Sequence, residues 1–188
     1  MPPKVKITKS EIVSSALELV KKEGAEAINA RSIAAVLGCS TQPIFSNFST
    51  MNELQDAVID AAYNLYLAFL KNEAETGKYP KYKSFGMAYI RFAKDEKELF
   101  KLLFMRDRHG DELSPTVDFT ESVEMIRSSN GVSYETAELM HLEMWAFVHG
   151  IAVMLATSFQ KFEWELISNM LTDAYMGIRS RHKKGDKQ

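Results

Sequence analysis

Apolar residues recur at intervals of three and four along most of the chain, and no stretch alternates cleanly between apolar and polar residues. Proline occurs only at positions 2, 3, 43, 80 and 115, which leaves room for long helices. The pattern therefore predicts an all-α protein. The predicted helices cover 9–23, 30–37, 41–48, 51–75, 82–94, 96–105, 115–129, 134–160 and 162–180.

Short polar residues and glycine mark several of the predicted helix ends. Two of the expected N-caps are followed three residues later by Glu, which is the spacing of a capping box. We expect N-caps at Thr8, Asn29, Ser40 and Thr50, and a C-cap with positive φ at Gly24. The polar stretch 77–80 predicts a break between helices, and 106–114 predicts a loop.

Only Gly38-Cys39-Ser40 separates the second predicted helix from the third, which is a spacing typical of a helix-turn-helix. The small side chain of Ala34 permits a close crossing, and Gly38 supplies positive φ in the turn. Ile44 and Phe48 are expected to anchor the third helix in the core. One polar face of that helix then points outward, with Thr41, Gln42, Ser46 and Asn47 on it.

These outward side chains have the chemistry to contact the major groove of DNA. Gln and Asn amides pair bidentately with adenine, and Thr41 or Pro43 can touch a thymine methyl group. The N-terminus of a helix also favours a phosphate. From the residues alone, a helical hairpin with a merely solvated polar face stays an open alternative.

Charge and composition exclude several classes of protein. The net charge is −2, but residues 1–50 carry six Lys and Arg against four Asp and Glu, whereas 51–178 carry twelve against twenty. No two glycines lie closer than eight residues, which excludes a GxGxxG turn and a Walker A loop. The single cysteine excludes internal disulfides. We expect a cytoplasmic protein with no signal peptide and no membrane span.

Residues 8–58 resemble the DNA-binding head of TetR-family regulators, in order and spacing and without a gap. The resemblance lies in Thr8, Ile12, Ala16 and Gly24, then Arg31-Ser32-Ile33-Ala34, Leu37-Gly38-Cys39-Ser40, Ile44-Phe45-Ser46-Asn47-Phe48 and Glu53-Leu54. It implies a helix-turn-helix DNA-binding domain over 1–50 and a helical ligand-binding and dimerisation domain over 51–188. It also implies a non-enzymatic regulator, by family habit a repressor. The expected DNA contacts are Arg31, Ser40, Thr41, Gln42, Pro43, Phe45, Ser46 and Asn47.

Two positions depart from the family pattern. The family usually has Tyr where Phe45 stands and Lys where Met51 stands, and both usual residues contact the DNA backbone. Their loss predicts weaker binding to every DNA sequence alike. We expect basic residues near the start of the chain to compensate in part, namely Lys4, Lys6, Lys9 and Arg31.

The second half resembles the family more loosely. The segment from Trp145 to Gly150 is similar to the Trp-His-Gly type of regulator C-terminal domain, and the helix through 144–155 is apolar nearly all round. The resemblance implies a small-molecule effector, a homodimer formed by the last two helices, and a palindromic DNA site. The predicted helix 51–75 would carry the effector signal to the head. We expect an apolar or amphipathic effector at Tyr63, Met87, Phe92, Phe104, Trp145 and His149.

Two other functions are weighed against a regulator. Because Phe45 and Met51 replace the usual Tyr and Lys that contact the DNA backbone, the chain is also compatible with a protein-binding adaptor whose head does not contact DNA. Glu138 and His141 have the Glu-x-x-His spacing of di-metal helical bundles, but the chain has no second such motif. We therefore expect no metal, no cofactor and no enzymatic activity.

Overall fold

The computed structural model describes residues 7–106 and 119–185, with side chains to 182, and these residues form helices and loops without strands. The predicted all-α class is confirmed. Packing divides the described residues into two compact units, one containing 7–67 and 96–106 and the other 68–95 and 119–185. This division by packing does not coincide with the functional boundary expected after residue 50, which stays a prediction.

The first unit begins with the three-helix head. Its helices are α1 (Lys9–Glu23), α2 (Ala30–Leu37) and α3 (Gln42–Asn47), with a turn of 3-10 helix at Ala25–Ala27. The capping box of Thr8 and Glu11 is present, and Asn29 caps α2 by accepting a hydrogen bond from the Ser32 amide. Gly24 has φ +86°, as expected of a C-cap. The local signals therefore fix both ends of α1 and the start of α2.

The start of α3 differs from the prediction. The helix begins at Gln42, so its N-cap is Thr41 rather than Ser40, and the Thr41 side chain makes no cap hydrogen bond. Pro43 lies in the first turn, where its missing N–H leaves no helical hydrogen bond unmade. The proline therefore sets the start of α3 without a polar cap.

Two further helices contribute to the first unit. Helix α4 (Met51–Glu75) begins where Thr50 accepts from the Glu53 amide, but the Glu53 carboxylate accepts from Ser49 rather than closing a capping box. Helix α6 (Lys97–Phe104) packs against α1. The core of this unit is apolar, and its fully buried side chains include Ile12, Val20, Ile33, Ile44, Leu54 and Val58.

The second unit contains the end of α4 and four other helices. These are α5 (Lys81–Asp95), α7 (Thr120–Asn130), α8 (Tyr134–Ala156) and α9 (Trp164–Gly185). Helix α8 is central because it packs against α5, α7 and α9. The predicted break at 77–80 is present between α4 and α5.

Three predicted helices of this unit have different ends in the structure. Helix α8 ends at Ala156, not at 160, because Thr157 and Ser158 turn the chain and Ser158 takes φ +57°. The next helix begins at Trp164 rather than 162. Phe119 precedes α7, which starts at Thr120 rather than 115. The predicted loop beyond residue 106 lies outside the described residues.

Within the described residues, α8 is the one helix long and apolar enough to cross a membrane, judged by length and composition. Nine of its residues are buried inside the protein, as in the core helix of a soluble domain. The expected absence of a membrane span stays a prediction.

Replacing Gly38 with alanine should destabilise the head. Gly38 has φ +63°, and no atom lies within 4 Å of the position where a Cβ would stand, so the cost is conformational rather than steric. We expect Gly38→Ala to lower the free energy of unfolding by about 1 kcal/mol in urea denaturation. Ser40→Ala should change it by less than about 0.5 kcal/mol, because no cap bond is lost. Equal stability of Gly38→Ala and the wild type would contradict a left-handed turn.

Candidate functional site

One edge of α3 faces solvent, and we call its residues 41–43 and 45–47 the α3 edge. Gln42 and Ser46 are exposed, and 51% of Phe45 is exposed, whereas Ile44 between them is fully buried. Thr41, Pro43 and Asn47 are half-buried. The burial of Ile44 thus turns the polar side of this short helix outward, as the sequence predicts.

The polar side chains of the α3 edge differ in what they bond. The Ser46 hydroxyl donates to the Gln42 carbonyl at 2.9 Å. The Asn47 amide nitrogen donates to the Pro43 carbonyl at 2.8 Å and to the Ile7 carbonyl at 3.2 Å. Asn47 therefore ties α3 to the chain before α1. The amide of Gln42 makes no hydrogen bond with any described residue and is available to a base, and the expected DNA contact of Asn47 stays a prediction.

The basic groups expected to meet phosphate are placed differently from one another. Arg31 is exposed at the second position of α2. The Lys9 ammonium lies 2.9 Å from the Glu53 carboxylate and 4.8 Å from the centre of the Phe48 ring. Hydrogen bonds from Lys9 and from the Ser49 amide lower the pKa of Glu53. Lys9 is thus paired with an exposed carboxylate of α4, and Lys4 and Lys6 lie outside the described residues.

Two tyrosine–histidine pairs join α5 to α8 in the second unit. The Tyr82 hydroxyl lies 3.0 Å from Nδ1 of His141, and the Tyr89 hydroxyl lies 2.8 Å from Nδ1 of His149. The ring of Trp145 stacks on His149, with centroids 5.2 Å apart and planes 14° apart. The predicted pair of Trp145 and His149 therefore lies on one face of α8 and belongs to a larger aromatic group.

Burial sets the charge of both imidazoles. Desolvation lowers the pKa of His141 and of His149, and it raises the pKa of Tyr82 far above the physiological range. Both histidines are therefore neutral at neutral pH. The face of α8 that carries them presents uncharged hydrogen-bonding groups among aromatic rings.

The remaining predicted ligand residues are distributed between the two units. Tyr63 and Phe104 belong to the first unit, where both pack against the buried ring of Tyr66, with centroids 5.8 Å and 5.1 Å away. Met87 and Phe92 belong to the second unit and are core residues, with 0% and 1% of their surfaces exposed. Their roles as ligand contacts stay predictions.

Four members of this aromatic group were not predicted as site residues, namely Tyr82, Tyr89, Phe119 and His141. The signal was present in the spacing. Two tyrosines seven apart share a face of one helix, and two histidines eight apart share a face of another. The described residues contain no group of three or more side chains suited to a metal ion. Glu138 is exposed whereas His141 is buried, so they do not face a common site.

Stability should depend on pH through the half-buried His149. Folding lowers the pKa of His149 from its ordinary 6.5. The neutral imidazole therefore makes its full contribution to the free energy of unfolding above pH 6.5, and that contribution is lost as the pH falls below this value. We expect the free energy of unfolding to fall between about pH 7 and 5, and less steeply in His149→Phe. Tyr89→Phe, which keeps the imidazole, should retain the wild-type slope. Identical slopes for His149→Phe and the wild type would contradict a neutral, partly desolvated imidazole.

Neither a protein-family model nor a curated protein matches this chain. Solved structures do. A candidate transcriptional regulator from Pseudomonas aeruginosa PAO1 has 15% identity, a TM-score of 0.69, and coverage of 94% of this chain and 92% of its own. A TetR-like transcriptional regulator from a Rhodococcus species has 14% identity and a TM-score of 0.67, with 94% and 96% covered.

A third structure is that of a multidrug-binding protein, EbrR, in complex with imidazole. It has 14% identity and a TM-score of 0.58, with 88% of each chain covered. The Trp-His-Gly type of the second half stays a prediction. The helix-turn-helix head, the helical second unit and these matches agree, and the chain has the fold of TetR-family transcriptional regulators.

Proposed function

We propose that the chain is a sequence-specific DNA-binding repressor that a small apolar or amphipathic effector releases from a palindromic operator. The observation that carries this proposal is the α3 edge, on which the unbonded amide of Gln42 stands outward beside the exposed Ser46. A carboxamide places an N–H donor beside a carbonyl acceptor, which complements the N7 acceptor and N6–H donor of adenine in the major groove. A regulator of this kind acts in the cytoplasm.

Gln42 is the proposed base-reading residue, and other groups position the head on the DNA backbone. Arg31 is an exposed cation on α2 and supplies a phosphate contact. The other expected contacts near the N-terminus of α3 are Ser40, Thr41 and Pro43. The phenyl ring at Phe45 is exposed but has no hydroxyl to donate to a phosphate, so its contact is apolar, as to a thymine methyl.

The proposed effector site lies in the second unit, on the face of α8 that carries Trp145 and His149. Stacked aromatic rings and neutral imidazoles suit an uncharged ligand better than an anion. The complex of EbrR with imidazole gives precedent for a ligand in this fold. Helix α4 contributes residues to both units and is the proposed carrier of the signal.

The proposed repressor is a homodimer formed by α8 and α9. Helix α8 buries one side inside the protein and leaves large apolar residues exposed on another, and α9 does the same. The exposed set is Leu139, Leu142, Phe147, Leu166 and Met176. Such a patch indicates an interface. A twofold dimer would place its recognition helices one DNA turn apart, about 34–36 Å, on a palindrome.

A protein-binding adaptor is the second candidate. Val36 is 57% exposed and Phe45 is 51% exposed, both in the head, and exposed apolar side chains favour a protein partner. The same residues are compatible with DNA, so DNA binding at different salt concentrations separates the two functions.

Binding to a duplex from the chain's own promoter region should weaken steeply with salt. Fluorescence anisotropy should show Gln42→Ala losing about 1–3 kcal/mol of binding to that duplex and losing preference over unrelated DNA. Arg31→Ala should weaken binding to both duplexes alike and lower the salt slope by about one. Gln160→Ala, an exposed glutamine of the second unit, is the matched control. Salt-insensitive binding, or none by the wild type, would support the adaptor instead.

Charge placed in the exposed apolar patch should separate the dimer. Leu142→Glu combined with Met176→Glu buries two carboxylates in the proposed interface, and sedimentation should show a monomer that keeps its helical circular dichroism. Val36→Glu, which alters an exposed apolar residue of α2, should leave the dimer intact. A dimer that survives the double substitution, or a monomeric wild type, would contradict the interface.

A further inference from the structure

His141 has a buried hydrogen-bonding atom that no described residue pairs. Only 9% of the residue is exposed, and its Nε2 is fully buried and has no hydrogen-bond partner among the described residues. The other ring nitrogen, Nδ1, is 3.0 Å from the Tyr82 hydroxyl. Buried polar groups are rarely left unpaired in folded proteins, so an unpaired one calls for a ligand or an ordered water.

The hydrogen bond to Tyr82 fixes which nitrogen of His141 carries the proton. The phenol oxygen shares its lone pair with the ring, so a phenol donates to an imidazole nitrogen more readily than it accepts. Tyr82 therefore donates to Nδ1, and the neutral ring keeps its proton on Nε2. Nε2 is then an unpaired donor, and it requires an acceptor.

The neighbours of His141 restrict what that acceptor belongs to. The ring of Phe119 lies 4.6 Å away and that of Tyr82 lies 5.9 Å away, measured between centroids. Trp145, one turn along α8, lies 5.9 Å from Phe119. Tyr175 packs on Tyr82, but its hydroxyl already accepts from Asn130, and the Tyr82 hydroxyl is bonded to Nδ1. A buried water needs two to four polar partners, whereas the rest of these rings is carbon. Flat apolar surfaces suit a planar molecule.

We propose that His141 is the polar anchor of the effector site, and that the ligand is an uncharged planar molecule whose carbonyl or ether oxygen accepts from Nε2. The inference rests on the proposed function of the second unit as an effector domain, and it names the ligand class of that site. It adds His141, Tyr82 and Phe119 to the predicted Trp145 and His149. An anion gains no counter-charge at this position, because the imidazole is neutral.

Two probes of equal shape test the anchor. 2-Acetylnaphthalene carries the acceptor oxygen, and 2-ethylnaphthalene lacks it. Titrations followed by tryptophan fluorescence should show that the wild type binds the ketone at least about tenfold more tightly. His141→Phe keeps a planar ring and removes Nε2, so its preference should fall to about one. His182→Gln, which alters a histidine paired with Glu143, should keep the tenfold preference.

A second measurement does not depend on the variant folding. In wild-type protein labelled with ¹⁵N-histidine, the Nε2 proton of His141 should shift when the ketone is added and not when 2-ethylnaphthalene is added. Equal affinity for the two probes, binding of neither, or a preference that survives in His141→Phe overturns the anchor. DNA binding measured on the same preparation separates the two proposals. If it still depends on Gln42 while the probes bind alike, only the anchor fails.

Discussion

Helix α3 holds its shape only because one of its residues is buried. Isolated helices shorter than roughly 12–15 residues are only marginally stable in water. Helix α3 has six residues, so it depends on tertiary packing. Ile44 is 0% exposed and Phe48, just after the helix, is 2% exposed. Their burial fixes the rotation of α3, and the left-handed turn at Gly38 fixes its position after α2. The outward direction of Gln42 is a consequence of both.

In the second unit, polar groups lie within the apolar interface between α5 and α8. Helices α5 and α8 pack closely, and two tyrosine–histidine bonds set their register. Each bond satisfies one nitrogen of an imidazole that burial keeps neutral. The second nitrogen of His141 has no partner within 7–106 and 119–185, so this interface contains a buried polar atom that the proposed ligand would pair. The same packing thus supplies both stability and a candidate binding group.

The sequence predicted what depends on near neighbours. The capping box at Thr8 and the cap at Asn29 involve residues three apart, and both are present. The end of α8 was missed because Ser158 takes a left-handed conformation without glycine or proline to signal it. Short-range rules therefore located helices well and their ends less well.

What depends on distant residues could not be predicted. Asn47 donates to the Ile7 carbonyl, 40 residues away, so an amide expected to read a base also links α3 to the chain before α1. The bonds of Tyr82 and Tyr89 join residues 59 and 60 apart. No local pattern pairs such residues, although their helical spacing places each pair on one face. The resemblance to TetR-family regulators predicted the position of the α3 edge. The structure adds that the Asn47 amide nitrogen donates to two carbonyls, whereas the Gln42 amide makes no hydrogen bond with the described residues.

The packing of α3 leaves the amide of Gln42 exposed, and we propose that it contacts DNA. The most direct test is the nuclear magnetic resonance signal of that side chain in ¹⁵N-labelled protein, followed as a promoter duplex is added. We expect the Gln42 side-chain signal to shift and to become protected from hydrogen exchange with solvent at low salt, while the Gln160 signal does not change. An unaltered Gln42 signal at saturating DNA would contradict it.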